Sequence, residues 1–296
     1  MKTKAAGVPN EKKYEISPDD VAKVMATIDI PACPAVVIDA MKEAQKDEPD
    51  LNRLAAIITN DAGMSAAALK LANSTLYGAS SRVATVRKAV ERLGTKNTTC
   101  VVVAVGLRSS MLGLPAAWLE QFWKRTTLVA VVASLVARRQ YGISPDATYT
   151  YSLFHDAAIP LMMRRFPNYG EIIEQCHREG TMLAKAEDTY FPCTHAIIGA
   201  LLVRNWGLPP ILGMAIRFHH EEDAYDVPDS TLPGGALSLI AVTQVAEHLL
   251  SELLDDCDLE VGAHLFAKAL NHLGISESDL DDLRNQVAEA VADTAN

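Results

Sequence analysis

A histidine and an aspartate, His155 and Asp156, stand side by side in the apolar run YSLFHDAAIPLM, Tyr151 to Met162. A strongly polar pair in such a run is costly to bury unless other polar groups meet it. The chain must therefore fold so that distant segments bring partners to this one point. The pair also poses the functional question: it serves either a metal or only its neighbours.

The surrounding sequence is helical in pattern. Ala and Leu abound, aromatics make up 6% of the chain and β-branched runs are short, which leans towards an all-α protein. Ser17, Pro18, Asp19 and Asp20 open the first helix with a cap, a first-position proline and two acids against the dipole. A helix restarts at Pro34 and runs to about Gln45, and Asp50 caps the next, whose Leu51, Leu54, Ala55 and Ile58 share a face. Met64 to Gly78 reads as a further helix, ending near Asn73, which is assigned to shaping the turn before Gly78. A short helix over 85–93 stops at Gly94. Val101 to Val105 alone resembles a buried strand, but its helical company favours a buried helix. Later helices are expected over 117–141, 145–165, 168–187, 192–205, 209–221, 234–254, 259–272 and 276–293, several with a proline near their start.

Four segments follow: a polar, lysine-rich disordered leader at 1–15, an N-terminal helical part at 16–115, a second helical part at 116–255 and C-terminal helices at 256–296. The Leu112-Gly113-Leu114-Pro115 turn marks the boundary between the two larger parts. The N-terminus lacks the apolar core of a signal peptide, and the apolar stretches 100–107 and 128–137 are too short for a bilayer. The expectation is a soluble, cytoplasmic protein with no membrane contact.

The formal net charge of −10 argues against a general nucleic-acid or anionic-membrane binder. Arg82, Arg87, Lys88 and Arg92 form a local basic segment, read as a solvated face, with docking of an acidic partner or a nucleotide phosphate as the sharper alternative. Trp118, Phe122 and Trp123 fall within two helical turns and are assigned to packing rather than to an interface. The five cysteines are scattered, odd in number and without a CxxC, as free thiols in a reducing compartment would be.

Of eight histidines, His155, His195, His219 and His220 can join Asp156 in one site, because helices from different parts of a bundle converge. Imidazole and carboxylate are ligand types for zinc, manganese or iron, metals that a hydrolase uses to acidify water and neutralise phosphate. Neighbouring residues on a helix point about 100° apart, so each adjacent pair can share an ion only between its two directions. A hydrogen-bonded polar cluster without metal fits the same residue types equally well. His177, His248, His264 and His272 read as partly exposed helix residues.

The order of several segments resembles the HDOD domain, a bacterial signalling module related to the HD phosphohydrolase superfamily. They are IPACPAVVIDAMKEAQ, the long stretch LAAIITNDAGMSAAALKLANSTLYGASSRVATVRKAVERLG, YSLFHDAAIP and THAIIGALLVRNWGLPPILGMAIRFHH. The resemblance covers about residues 20–255 and implies an all-helical fold in two packed parts, the HD-like part second. His155 and Asp156 match the motif that names the superfamily. His195 and the pair His219-His220 resemble the further metal-binding histidines of HD-GYP phosphodiesterases. Two departures count against catalysis. The first-ligand histidine is replaced by Arg125, and the closing aspartate by Glu247. A fixed guanidinium about 5 Å from a divalent ion costs on the order of 6 kcal/mol at an effective dielectric near 20, and arginine cannot shed its proton.

The resemblance thus implies a non-catalytic signalling module that acts by contact with a protein partner. Its metal site, built on His155, Asp156, His195, His219, His220 and Glu247, is expected to be degenerate, with no cofactor and with Arg125 paired to Glu247 or Asp156. The alternatives are a metal-dependent phosphohydrolase of a cyclic dinucleotide or nucleotide, holding manganese, iron or zinc at those residues, and a module that senses a nucleotide without cleaving it. The C-terminal helices cap the domain or make a homodimer.

Overall fold

The computed structural model describes residues 18–73, 82–111, 113–256 and 261–295. The leader, the cap expected at Ser17 and Leu112 of the boundary turn lie outside the described residues. Among the described residues every regular element is a helix and none is a strand.

The N-terminal part contains α1 (Pro18–Thr27), α2 (Ala35–Ala44), α3 (Leu51–Thr59), α4 (Ala62–Ala72) and α5 (Val86–Ser110). Side chains close the orphan amides at several of their starts. Asp50 accepts from the amides of Asn52 and Arg53, Asp61 from Met64 and Thr85 from Lys88. The turn before Gly78 that Asn73 is expected to shape lies outside the described residues, but Asn73 does bond backbone on either side of it. Its amide donates to the carbonyls of Leu69 and Val83, and its carbonyl accepts from the amide of Val83. The strand-like valines 101–103 are buried within α5, which α2, α3 and α4 pack against. Gly94 does interrupt the helical backbone, at φ 71° and ψ 179°, a conformation that only glycine adopts at low cost. Helical backbone resumes directly after it, so no loop separates the two pieces.

The second part contains α6 (Ala116–Arg138), α7 (Pro145–Phe154), α8 (Ile159–Arg165), α9 (Tyr169–Glu179), α10 (Leu183–Tyr190), α11 (His195–Asn205), α12 (Pro210–Phe218) and α13 (Gly234–Leu254). Then follow α14 (Gly262–Leu273) and α15 (Glu277–Ala295). Two expectations need correction here. The helix predicted over 145–165 breaks into α7 and α8 at His155–Ala158, because Pro160 lacks an amide hydrogen and disfavours helical backbone just before it. The helix predicted over 168–187 breaks into α9 and α10, because Gly180 adopts the left-handed conformation and ends the first.

A large core joins residues of both parts, among them Leu54, Val102 and Leu107 with Phe154, Ile198 and Leu202. A second core lies between α6, α13, α14 and α15. By length and composition α13 is apolar enough to cross a membrane, which the sequence reading had not picked out. Here it is a core helix: 67% of its most apolar window is buried, and it packs against α6, α7, α12 and α14.

Candidate metal centre

The break between α7 and α8 places His155 and Asp156 where helices converge. His155 caps α7, and its Nδ1 lies 2.7 Å from the carbonyl of Ser152. The turn is closed by the Ile159 amide on the carbonyl of Asp156. Two residues that would diverge on a continuous helix thereby face one polar cluster. His195 opens α11 just after its cap, Thr194. His219 caps the end of α12 and His220 follows it. Glu247 projects from the buried side of α13. All six residues predicted for the site meet here, in two groups that share Asp156.

The first group is His155, Asp156 and Glu247. His155 Nε2 lies 3.0 Å from Asp156 Oδ2 and 2.9 Å from Glu247 Oε1. Both ring nitrogens of His155 thus face oxygen acceptors, which assigns a proton to each. Burial opposes that charge, but Asp156 and Glu247 outweigh it and raise the His155 pKa well above the ordinary imidazole value. Burial likewise opposes ionisation of Asp156. The charge on His155, with the imidazoles of His195 and His219, overcomes it and holds the Asp156 carboxyl well below its usual range.

The second group is Asp156, His195, His219 and His220. His195 Nε2, His219 Nε2 and Asp156 Oδ1 form a triangle with all three sides 3.4 Å. Tetrahedral zinc with bonds near 2.0–2.1 Å has ligand-to-ligand edges of about 3.3–3.4 Å. His220 Nε2 lies 2.9 Å from His195 Nε2. Each buried imidazole is turned by a bond at its other nitrogen: His195 Nδ1 lies 2.7 Å from Glu187 Oε2, and His219 Nδ1 lies 2.6 Å from the carbonyl of Ile216. Asp156 Oδ1 is buried, and the Nε2 atoms of His195 and His219 that face it lie at 3.4 Å, beyond the usual hydrogen-bond distance. Such an acceptor is expensive in a protein interior, and a divalent cation inside the triangle would satisfy it. The donor set therefore fits a metal. Burial and the neighbouring His220 push the His219 pKa well below its ordinary value, which keeps its Nε2 lone pair available. Burial also lowers that of His195, but Glu187 and Asp156 raise it well above the ordinary value, so an arriving ion displaces a proton there.

The expectation for Arg125 also needs correction. Arg125 pairs neither with Glu247 nor with Asp156. Its guanidinium donates to Asp256 Oδ2 at 3.2 Å and to Ser251 Oγ at 3.3 Å, at the end of α13. Side chains 36% and 43% exposed keep much of their hydration in this pair, whereas a pair at Glu247 would be fully desolvated. Arg125 still lines the cavity of about 290 Å³ that opens on His155, Asp156 and Glu247. Trp118 and Phe122, stacked with centroids 5.4 Å apart, wall the same cavity, while Trp123 is buried.

Sequence reasoning missed Glu187, Tyr169 and Gln244. Gln244 donates to the carbonyl of His219 and accepts from the hydroxyl of Tyr225. No local pattern marks these residues, because their partners come from other helices. The basic segment serves the fold in part: Arg87 pairs with Glu91, and Arg92 donates to the carbonyl of Ala72 at the end of α4.

The HDOD domain model matches residues 30–222. An uncharacterized protein of Treponema pallidum (strain Nichols) is 25% identical over 195 residues, 65% of this chain and 38% of that protein, so the chain spans well under half of that relative. A Shewanella amazonensis protein carrying a provisional phosphohydrolase name superposes with a TM-score of 0.69 at 22% identity, over 91% of this chain and 93% of its own. An HDOD domain protein of unknown function from Geobacter sulfurreducens gives 0.66 at 21%, over 91% and 96%. A Marinobacter aquaeolei protein with a provisional signal-transduction name gives 0.70 at 19%, over 96% and 62%. At these identities the solved structures show the fold alone. The family model, which matches more than half of the chain, shows more: the chain belongs to the HDOD domain family.

Proposed function

We propose that this chain is a signalling module that acts by contact with another protein, does not hydrolyse phosphodiesters, and keeps one divalent metal ion as part of its core. The observation that carries this reading is the position of His155 Nε2, within 3.0 Å of two carboxylate oxygens. A proton there occupies the place between Nε2, Asp156 and Glu247 that an ion would need, and Arg125 adds fixed positive charge to the cavity outside. On this reading the degeneracy expected from the sequence is confined to the half that faces the cavity. Asp156, His195, His219 and His220 would hold the remaining ion, which supplies positive charge to Asp156 Oδ1. A lone ion tied into four segments organises a surface but lacks the second cation that clamps attacking and leaving oxygens in two-metal hydrolysis.

Elemental mass spectrometry of untagged protein purified without chelator, alongside a phosphodiesterase assay with cyclic dinucleotides, tests this. One equivalent of zinc, manganese or iron without turnover is the expected result. Turnover would overturn the non-catalytic reading, and well-folded protein free of metal would overturn the one-ion reading. The stacked pair Trp118 and Phe122 beside Arg125 favours a second reading, a module that senses a nucleotide in that cavity. A thermal shift with a nucleotide panel would detect such binding.

A further inference from the structure

We infer that Glu187, backed by Tyr169, is the positioning residue that fixes the ring of His195 for the ion and sets how tightly the ion is held. The inference rests on the one-ion reading above and goes beyond it, because neither residue is a ligand in that reading.

Glu187 is fully buried on α10, eight residues before His195. A buried carboxyl group needs its oxygens satisfied. Glu187 Oε1 accepts the hydroxyl hydrogen of Tyr169, which is itself fully buried. Oε2 accepts twice from one residue: from the backbone amide of His195 at 3.0 Å and from its ring Nδ1 at 2.7 Å. Two bonds from one oxygen to the backbone and ring of the same residue fix both the start of α11 and the direction of the imidazole. The Nδ1 proton is thereby committed, and Nε2 is left to face Asp156 Oδ1 and His219 Nε2 at 3.4 Å. A carboxyl group behind a ligand histidine in this way orients the ring and raises the basicity of the nitrogen that binds metal. Tyr169 keeps the carboxyl from rotating, since α9 and α10 pack against each other and the hydroxyl holds the oxygen that His195 does not use.

A purely structural role is the competing account, in which Glu187 only satisfies the first amide of α11. The two differ in what a substitution moves. Glu187→Gln keeps the shape but removes the negative charge that holds the Nδ1 proton, and it presents an amide donor that Tyr169 or His195 Nδ1 must accept, so the ring is held less firmly in either case. Tyr169→Phe leaves the carboxyl in place and removes only its restraint.

The test titrates Co²⁺ into the full chain and both variants, reading the affinity and the visible absorption bands of the bound ion. Glu187→Gln is expected to weaken binding by about 10–100-fold and to shift the bands, with a smaller loss of the same sign for Tyr169→Phe. Folded Glu187→Gln protein with the wild-type affinity and spectrum would overturn the inference, whatever its melting temperature. If Glu187→Gln fails to fold, Tyr169→Phe decides by the same readings. If the wild-type chain takes up no Co²⁺, the one-ion reading fails by itself, and nitrogen NMR of the metal-free chain judges the positioning. A His195 proton on Nδ1 in the wild type that leaves it in Glu187→Gln supports the inference, and identical imidazole signals overturn it.

Discussion

His155 and His195 are buried imidazoles whose carboxylate partners raise their pKa values, while His219 is buried with its value lowered. These directions fix how the metal-free chain responds to pH. For His155 and His195 the stabilisation is complete below the unfolded value of about 6.5 and is lost as pH rises through the folded values. His219 has the opposite sign: the unfolded chain gains its proton first, so stability falls as pH drops below about 6.5. Asp156, with a lowered value, adds stability above about 3.9 that is lost as pH falls through its folded value. The urea midpoint of the metal-free chain is therefore expected to peak near the unfolded imidazole value of about 6.5 and to fall as pH rises from there through the folded values of His155 and His195. A midpoint that does not fall on the alkaline side of that peak would contradict protonated His155 and His195. Arg125 gives a second test at this scale. Arg125→His removes the fixed charge and returns a ligand type to the cavity wall, and the metal content is expected to rise from one equivalent to two. A ratio that stays at one would show that the His155 proton and Glu247 close that half without help from Arg125.

At the scale of elements, the centre depends on how closely α11 meets α12. Gly199 lies on α11, and a Cβ there would stand 2.9 Å from Cγ2 of Ile216 on α12. Overpacking of this size costs about 1–3 kcal/mol. Gly199→Ala is expected to lower the urea midpoint accordingly. It should also weaken ion binding, because α12 carries His219 and His220 at its end. Unchanged affinity in the destabilised variant would show that these histidines are held by their own loop and by Gln244 rather than by α12.

At the scale of the molecule, α14 and α15 lie beyond the residues matched by the family model, yet they complete the core around α6 and α13. Lys268 on α14 also donates to the carbonyl of Glu222 and pairs with Asp226, which ties the segment after His220 to the C-terminal helices. Leu283 on α15 is 1% exposed. Leu283→Ala is expected to cost about 2–5 kcal/mol in a single cooperative urea transition. A separate early transition would instead show that the C-terminal pair unfolds by itself.

The sequence by itself determined the helical class, because capping residues, prolines and 3.6-residue periodicity are local signals that tertiary packing had no reason to override. It also pointed to His155, Asp156, His195, His219 and His220, because histidine and aspartate in an apolar run announce a cost that partners must meet, whereas Glu247 came only from the family resemblance. Asn73 was legible in part for the same reason, since the backbone groups it bonds, at Leu69 and Val83, lie within ten residues of it. Only the tertiary structure decided how the site residues are divided. Whether Glu247 answers Arg125 or His155 depends on which groups are desolvated together, and that is set by α6, α7 and α13 meeting rather than by spacing along the chain. Glu187 lay beyond sequence reasoning for a related reason. A single acid in a polar helix becomes a buried anchor only when α9, α10 and α11 close around it and exclude the water that would otherwise take its place.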